Sequence, residues 1–176
     1  MDPVETMVRE RLAGLPVEHE IVPCDPALAD TADFCAAYGY AAEDSANTIV
    51  VIGKSSPPRY VACILLATTR LDVNGVVRRR LGVKKASFAG GEDTRTVTGM
   101  ALGGVTPFGL PDDIPVWVDE RVMARERIVL GGGSRACKVV GPPRLLSALP
   151  GVEVVTDLAV PVPGDREPPP PLPPPR

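Results

Sequence analysis

The stretch Thr98-Gly-Met-Ala-Leu-Gly-Gly-Val-Thr-Pro-Phe-Gly-Leu-Pro111 contains four glycines and two prolines. Glycine adopts backbone conformations closed to other residues and lets a ligand approach the main chain, whereas proline removes a donor and stiffens the chain. We therefore expect a bent loop whose adjacent peptide N–H groups can hold a carbonyl oxygen or an anion. A double turn between two strands, with no ligand, is the alternative that composition leaves open.

Two apolar runs precede this loop and predict the centre of a sheet. Residues 48–52 and 60–66 are continuously apolar or β-branched, and the connection between them is rich in serine and proline. Runs of this kind are typical of strands buried on both faces.

Further elements flank these strands. Asp2 caps a helix that has Pro3 at its first position and ends at Gly14. Helices are also expected over 31–38, 73–81 and 142–149, with a helical turn after Gly91 and strands over 18–22, 86–88, 116–119, 127–130, 137–140 and 152–155. Too many strands follow one another for an alternating α/β design, so the predicted class is α+β.

The chain is expected to form one folded domain over 1–158 and a proline-rich tail over 159–176. Residues 167–176 read Glu-Pro-Pro-Pro-Pro-Leu-Pro-Pro-Pro-Arg, which favours polyproline II and cannot build a core. The tail also fits a PxxP ligand for an aromatic groove, although an inert spacer is the alternative.

Composition excludes several classes of protein. No apolar run is long enough to span a membrane and the N-terminus is acidic, so we expect a soluble cytoplasmic protein. The four cysteines form no CxxC pair, which argues against a zinc site or a disulfide framework, and we expect no metal and no cofactor. The single histidine, His19, has no GxSxG elbow or cysteine signature beside it, so a histidine-based triad is not indicated.

Charge is distributed unevenly along the chain, although the net charge is only −3. Residues 1–47 sum to −8, and residues 48–90 sum to +7. A basic face could therefore meet nucleic acid, and a solvated helix surface is the alternative.

Three segments together resemble the YbaK/EbsC family, which shares its domain with the editing insertion of bacterial prolyl-tRNA synthetases. They are RLDVNGVVRRRLGVKKASFA at 70–89, the loop at 98–111, and VDE at 118–120 followed by LGGGSRACK at 130–138. The resemblance covers roughly residues 28–150. It implies a mixed, barrel-like sheet flanked by helices, with a pocket for the 3′ end of a mischarged tRNA.

The activity that the resemblance implies is hydrolysis of the aminoacyl ester by water, with no metal and no covalent enzyme intermediate. In this family the glycine-rich loop contacts the aminoacyl group. Gly103 and Gly104 would then polarise the ester carbonyl through main-chain N–H groups, and Thr106 and Pro107 would shape the pocket. The resemblance implies the 3′ end of a mischarged tRNA as the substrate, and prolyl-tRNA synthetase or translation factors as further protein partners.

Asn47 departs from the family pattern. Family members usually carry a lysine just before the first central strand, in a pattern like Lys-Thr-Leu-Leu-Val, where this chain reads Asn-Thr-Ile-Val-Val. An amide can hydrogen-bond a carbonyl, an amine or a ribose hydroxyl, but it brings no charge. Lys54 could supply a charge from the following loop, or could simply be a solvated loop lysine.

Other candidate residues flank the pocket. Asp119 could bind the amino group of the ligand or cap the next helical turn. Gly131 and Gly132 could form a backbone nest beside the pocket or a plain hairpin. The candidate phosphate contacts, which would show little base specificity, are Lys54, Arg78, Arg79, Arg80, Lys84, Lys85, Arg135 and Lys138.

The leading hypothesis is a deacylase that clears a small mischarged amino acid from tRNA. The alternative is a non-catalytic module in which the same pocket binds an aminoacyl-tRNA end or a small metabolite, and the change at Asn47 favours it. An adaptor that acts through its proline-rich tail is a third hypothesis.

Overall fold

A computed structural model describes residues 1–162. Within them, ten strands form three sheets. The strands are β1 (Glu20–Pro23), β2 (Ala46–Gly53), β3 (Arg59–Leu66), β4 (Thr69–Leu71), β5 (Ala86–Phe88), β6 (Val116–Asp119), β7 (Ile128–Gly131), β8 (Cys137–Gly141), β9 (Val152–Val155) and β10 (Ala159–Pro161).

The largest sheet has the order β5-β2-β3-β6-β9. β2 and β3 form its antiparallel centre and pair over their full length, while β6 joins β3, and β9 joins β6, in parallel. A second sheet has the order β1-β8-β7, and β10 pairs with β4 in a third. The expected mixed sheet flanked by helices is confirmed, and none of these sheets closes into a barrel within residues 1–162.

Six α-helices accompany the sheets in the described part of the chain. They are α1 (Pro3–Ala13), α2 (Thr31–Tyr38), α3 (Arg78–Leu81), α4 (Gly91–Thr98), α5 (Glu120–Met123) and α6 (Arg144–Ser147). α1 begins as its sequence predicts, because Asp2 accepts a hydrogen bond from the Val4 N–H. α2 ends at Gly39, which has a φ of 75°.

One helix differs locally from the sequence prediction. The helix expected over 73–81 begins as a π-helical turn over Val73–Val77 and becomes α-helical only at α3. The Val77 N–H donates to the Asp72 carbonyl five residues earlier at 3.1 Å, which is the π-helical pattern, and the Asp72 carboxylate accepts from the N–H groups of Gly75 and Val76.

The core lies on both faces of the largest sheet. One cluster joins the sheet to α1, α6 and the strands β7 and β8, and includes the fully buried Leu12, Phe108 and Leu146. A second cluster covers the opposite face beneath Val77, Leu81 and Leu158. This packing fixes the start of β2 against the loop that follows α4, which is where the candidate site lies.

The C-terminal boundary lies later than expected. β10 places Ala159–Pro161 in a sheet, past the expected domain end at 158. The remainder of the expected tail, residues 163–176, lies outside the described residues. None of the helices in the described part is both long and apolar enough to cross a bilayer.

Candidate functional site

A pocket of about 220 Å³ opens between the start of β2, the segment before α2, and the glycine-rich loop. β7 and β8 close its remaining side. The lining residues are Ala29, Asp30, Thr31, Ala46, Asn47, Thr48, Ile49, Leu102, Gly103, Val105, Gly131 and Lys138.

Lys138 provides the ammonium group of this pocket. The residue is only 8% exposed, and its Nζ donates to the Ala29 carbonyl at 2.7 Å and to the Gly103 carbonyl at 2.9 Å. The Nζ also lies 5.6 Å from the centre of the Phe34 ring. Burial lowers the pKa of Lys138 below that of an ordinary lysine. The sequence predicts a phosphate contact, and the structure instead places this side chain in the pocket wall.

Asn47 lies in the pocket at the beginning of β2, as its sequence position suggests. Its Oδ1 accepts a hydrogen bond from the Thr31 hydroxyl at 3.0 Å. This contact anchors the amide oxygen to the first residue of α2. The amide NH₂ has no hydrogen-bond acceptor among residues 1–162 and is left available to a ligand.

The two glycines of the loop have different roles. Gly103 lines the pocket with a φ of 89°, and its carbonyl accepts from Lys138. Gly104 is buried behind it, and its N–H donates to the Ala101 carbonyl at 3.0 Å. The sequence predicts that both N–H groups face the ester, whereas the Gly104 N–H is already engaged in a turn. Among the described residues no acceptor binds the Gly103 N–H.

Close backbone packing explains why glycine occupies this region. A Cβ on Gly104 would lie 2.6 Å from the Ser134 carbonyl carbon, and one on Gly131 would collide with the Val105 carbonyl. Gly131 lines the pocket, while Gly132 packs behind it against Cys137. The glycines therefore let the segments 102–105 and 131–134 touch through their main chains.

Other predicted pocket residues lie elsewhere. Thr106 is fully buried next to the pocket, and its hydroxyl has no hydrogen-bond partner among the described residues. Pro107 faces a separate groove on the side of α1. Asp119 is fully buried, caps α5 by accepting from the Arg121 N–H at 3.1 Å, and accepts from the Ala159 N–H at 2.9 Å. It does not line the pocket.

Three of the predicted phosphate contacts are arginines that already have partners within the protein. Arg135 is used internally, because it donates to Asp30, to the Pro26 carbonyl and to the Leu102 carbonyl. Arg80 pairs with Glu153 at 2.6 Å and stacks 4.9 Å above Trp117, and Arg78 donates to the Asn74 carbonyl.

The exposed cations lie at the far end of β2. Lys54, Lys84 and Lys85 are exposed, and the Lys54 N–H donates to the Lys85 carbonyl. Arg79 is exposed as well. At about 3.3 Å per residue, Lys54 lies roughly 23 Å along β2 from Asn47. These four exposed residues are here called the basic cluster, and Lys54 within it is well separated from the pocket.

Several lining residues were not predicted from the sequence. Ala29 and Thr31 come from a segment that carries no motif, and Leu102 lies in the glycine-rich loop but is not itself among the predicted residues. Lys138 did carry a signal, because it interrupts the apolar strand Cys-Lys-Val-Val at 137–140. A lysine in a strand buried on both faces needs internal partners.

The arrangement can bind a polar acyl group and orient water. Its lining offers an ammonium, an amide, the Thr31 and Thr48 hydroxyls and main-chain groups, and includes neither cysteine nor histidine. Within residues 1–162, no three acidic, cysteine or histidine side chains cluster closely enough to hold a metal ion.

The site lies within a recognised sequence family. A family model described as "Aminoacyl-tRNA editing domain" matches residues 25–149. This stretch contains every lining residue of the pocket.

A curated relative supports the same family. The chain is 25% identical over 106 residues to the Enterococcus faecalis protein named "Putative Cys-tRNA(Pro)/Cys-tRNA(Cys) deacylase EbsC". The match covers 60% of this chain and 63% of that protein, so it spans less than two thirds of the relative.

Solved structures share the fold. One, described as "a putative trans-editing enzyme for prolyl tRNA synthetase", superimposes with a TM-score of 0.75 at 23% identity, covering 89% of this chain and 97% of that chain. Another, "hypothetical protein APE2540", gives a TM-score of 0.69 at 25% identity, covering 87% and 97% respectively.

Proposed function

Because the chain belongs to the aminoacyl-tRNA editing domain family, we propose that it hydrolyses the ester bond of a mischarged aminoacyl-tRNA carrying a small amino acid. The observation that carries this proposal is the pocket between Asn47, Gly103 and Lys138, which combines hydrogen-bond donors with little space. Ligand pockets usually measure about 300–1,000 Å³. A pocket of about 220 Å³ therefore suits a small acyl group.

The chemistry follows from the lining. Water adds to the ester carbonyl carbon, the carbonyl oxygen becomes an oxyanion, and the ribose oxygen leaves with a proton that the water has lost. The products are the free amino acid and a tRNA with both hydroxyls of its terminal ribose free. Donors aimed at the oxyanion lower the barrier, and Gly103 N–H and the Asn47 amide are candidates.

Such an activity solves a selectivity problem. A synthetase pocket discriminates poorly against an amino acid that differs by one methylene, typically by about 10–200-fold. A second site that hydrolyses the product removes the error. The deacylase named among the relatives and the trans-editing enzyme among the structural neighbours fit this interpretation.

We assign the basic cluster to the tRNA backbone. Lys54, just past the end of β2, lies roughly 23 Å along that strand from Asn47, and Arg79, Lys84 and Lys85 are exposed as well. Cations at this distance would meet phosphates upstream of the terminal adenosine when the acyl group on that nucleotide occupies the pocket. We propose the cytoplasm as the place of reaction and, from the family resemblance alone, prolyl-tRNA synthetase or a translation factor as a further partner.

A non-catalytic module is the second candidate, and Asn47 favours it. The amide oxygen already accepts from Thr31, so the residue offers a neutral NH₂ where family members usually offer an ammonium. The same pocket would then hold an aminoacyl end without hydrolysing it.

A hydrolysis panel separates the two functions. Purified full-length protein is incubated with tRNAs mischarged with alanine, cysteine, serine or threonine, and the loss of the acyl group is followed against buffer alone. We expect turnover of at least one substrate at a rate well above the spontaneous one. Spontaneous rates throughout, with retained binding of the charged tRNAs, would establish the binding module instead.

A further inference from the structure

Lys138 holds a buried positive charge that no carboxylate neutralises among the described residues. The six ion pairs of residues 1–162 do not include it, and Asp30, a carboxylate that interacts with it electrostatically, pairs with Arg135 at 3.0 Å. Burying an ammonium is costly unless it is paired or hydrogen-bonded. A ligand oxygen can therefore stabilise this ammonium by accepting a hydrogen bond from it.

The hydrogen bonds of Lys138 leave one donor free. A lysine ammonium has three N–H groups, and two of them bind the carbonyl oxygens of Ala29 and Gly103. These two bonds fix the Nζ between the segment before α2 and the glycine-rich loop. The third N–H has no acceptor among residues 1–162.

The strand pairing places Lys138 beside a glycine in the pocket wall. Lys138 on β8 pairs across the sheet with Gly131 on β7, and both residues line the pocket. A Cβ at Gly131 would collide with the Val105 carbonyl, so the absence of a side chain there lets the glycine-rich loop pack directly against β7 beside Lys138. Gly103, whose carbonyl binds the Nζ, lies on the same wall.

We propose that Lys138 is a catalytic residue whose ammonium binds the ester carbonyl oxygen of the substrate and stabilises the oxyanion formed when water attacks. The proposal rests on the deacylase function proposed above. The ammonium keeps its proton throughout: the attacking water supplies the proton that the leaving ribose oxygen takes, and the oxyanion electrons return to the carbonyl as that bond breaks. The Asn47 NH₂ is thereby left to donate to a ribose hydroxyl oxygen.

Charged and titratable neighbours define the pH dependence. Asp30, Arg135, Cys24, Cys35 and Cys137 lie close enough to Lys138 to interact with it electrostatically. Burial raises the pKa of all three thiols, so they remain neutral at pH 7 and do not offset the ammonium. The catalytic form is the cation, which exists below the pKa of Lys138. Because burial lowers that pKa, the enzymatic rate should fall with rising pH earlier than a lysine at the ordinary value of 10.5 would allow.

The first test is Lys138→Met, which keeps an apolar stem and removes the charge. Losing one oxyanion donor costs about 100- to 1,000-fold in kcat, so we expect that loss with little change in KM, and no alkaline fall in the residual rate. Arg144→Met, an exposed site on α6, is the matched control and should retain full turnover. A folded Lys138→Met protein with wild-type kcat would overturn the proposal.

A second measurement does not depend on a variant that folds or on turnover. The chain has only four lysines, at 54, 84, 85 and 138, so their ¹⁵N ammonium signals can be assigned in the wild-type protein. Titration with 3′-alanylamino-3′-deoxyadenosine, whose amide is not hydrolysed, should shift the Lys138 signal and leave those of Lys54, Lys84 and Lys85 unchanged.

The combined results distinguish the two proposals. A shifted Lys138 signal without turnover of any tRNA would reject deacylation while keeping the contact between Lys138 and the acyl carbonyl. Turnover in the wild type with an unshifted Lys138 signal on saturation would show that the lysine only braces the loop, and would reject the catalytic assignment.

Discussion

Gly104 shows how one missing side chain shapes the site. Its Cα packs against the Ser134 main chain, and its carbonyl accepts from the Gly133 N–H at 2.8 Å. The loop that carries Gly103 is therefore held by backbone contacts, and the position of the Gly103 carbonyl in turn places Lys138. A shift of the glycine-rich loop would therefore move Gly103 and also displace Lys138 on β8.

Gly104→Ala should displace this loop. The added Cβ would lie 2.6 Å from backbone that cannot rotate away, so we expect the free energy of unfolding to fall by about 1–3 kcal/mol. Turnover should fall about 100-fold, since a displacement near 1 Å is enough for such a loss. Chemical denaturation and single-turnover hydrolysis measure the two effects.

Gly90→Ala is the matched control. A Cβ at Gly90 would meet no heavy atom within 4 Å, and its φ of −66° is open to alanine. Equal losses in the two variants would mean that glycine content, rather than contact with Ser134, matters in this region.

For individual residues, the sequence predicts which ones belong to the site better than it predicts which atoms they contact. The glycine and proline pattern of 98–111 points to Gly103, the glycine run at the end of β7 points to Gly131, and the family resemblance points to Asn47, and all three line the pocket. Neither shows that Gly104 N–H binds the Ala101 carbonyl, nor that Lys138 turns inward, because both contacts depend on atoms supplied by other segments. The roles in catalysis assigned to these residues stay predictions.

At the scale of secondary structure, β6 and α5 are joined by a buried carboxylate. Asp119 ends β6, caps α5, accepts from the first N–H of β10 and lies 3.4 Å from the Arg121 guanidinium. One side chain thus connects three elements. This explains its burial without a ligand.

Asp119→Ala should destabilise the fold and leave the pocket intact. It removes a helix cap and leaves the buried Ala159 N–H without its partner, so we expect a loss of about 2–4 kcal/mol in the free energy of unfolding. KM of the folded protein should not change. Asp113→Ala, an exposed carboxylate nearby in sequence, should cost close to nothing. A raised KM in Asp119→Ala at full folding would return this residue to the binding site.

Local patterns predict the elements that have local causes. The cap at Asp2, the stop at Gly39 and the apolar runs of β2 and β3 are recognisable because their signals lie within a few residues. β4 and β10 are not predicted. Each has three residues, and their pairing joins Thr69 to Pro161 across about half of the chain, so neither carries a periodic signal of its own.

For the whole molecule, charge separates into paired and exposed groups. Arg80 is neutralised by Glu153 and covers Trp117, whereas the basic cluster remains exposed at the far end of the largest sheet. These arginines and lysines cannot be told apart from sequence, because Glu153 is 73 residues from Arg80. Only the second group is suited to a polyanion.

Neutralising the three lysines of the basic cluster should weaken tRNA binding without affecting the chemical step. In Lys54→Gln/Lys84→Gln/Lys85→Gln, we expect KM for charged tRNA to rise about tenfold or more at low salt, with kcat preserved. The slope of log Kd against log salt should fall by about 1 for each phosphate that the variant no longer neutralises. Filter binding over a salt series measures it, with Arg144→Gln as the control. An unchanged slope would show that the tRNA backbone binds another face of the protein.

α1 and β1 precede the matched stretch 25–149, and β9 and β10 follow it, yet all four complete its packing. Val4 and Val8 of α1 fill the space beside Gly133, Glu5 accepts from the Ser134 hydroxyl, and β1 pairs along the strand that carries Lys138. The segment that the family model matches is thus shorter than the segment that packs together as a folded unit. A graft of this pocket into another scaffold would need both flanking segments. A fragment cut at 25 and 149 would remove β1, which pairs with β8, and would remove Val4 and Val8, which pack against Gly133.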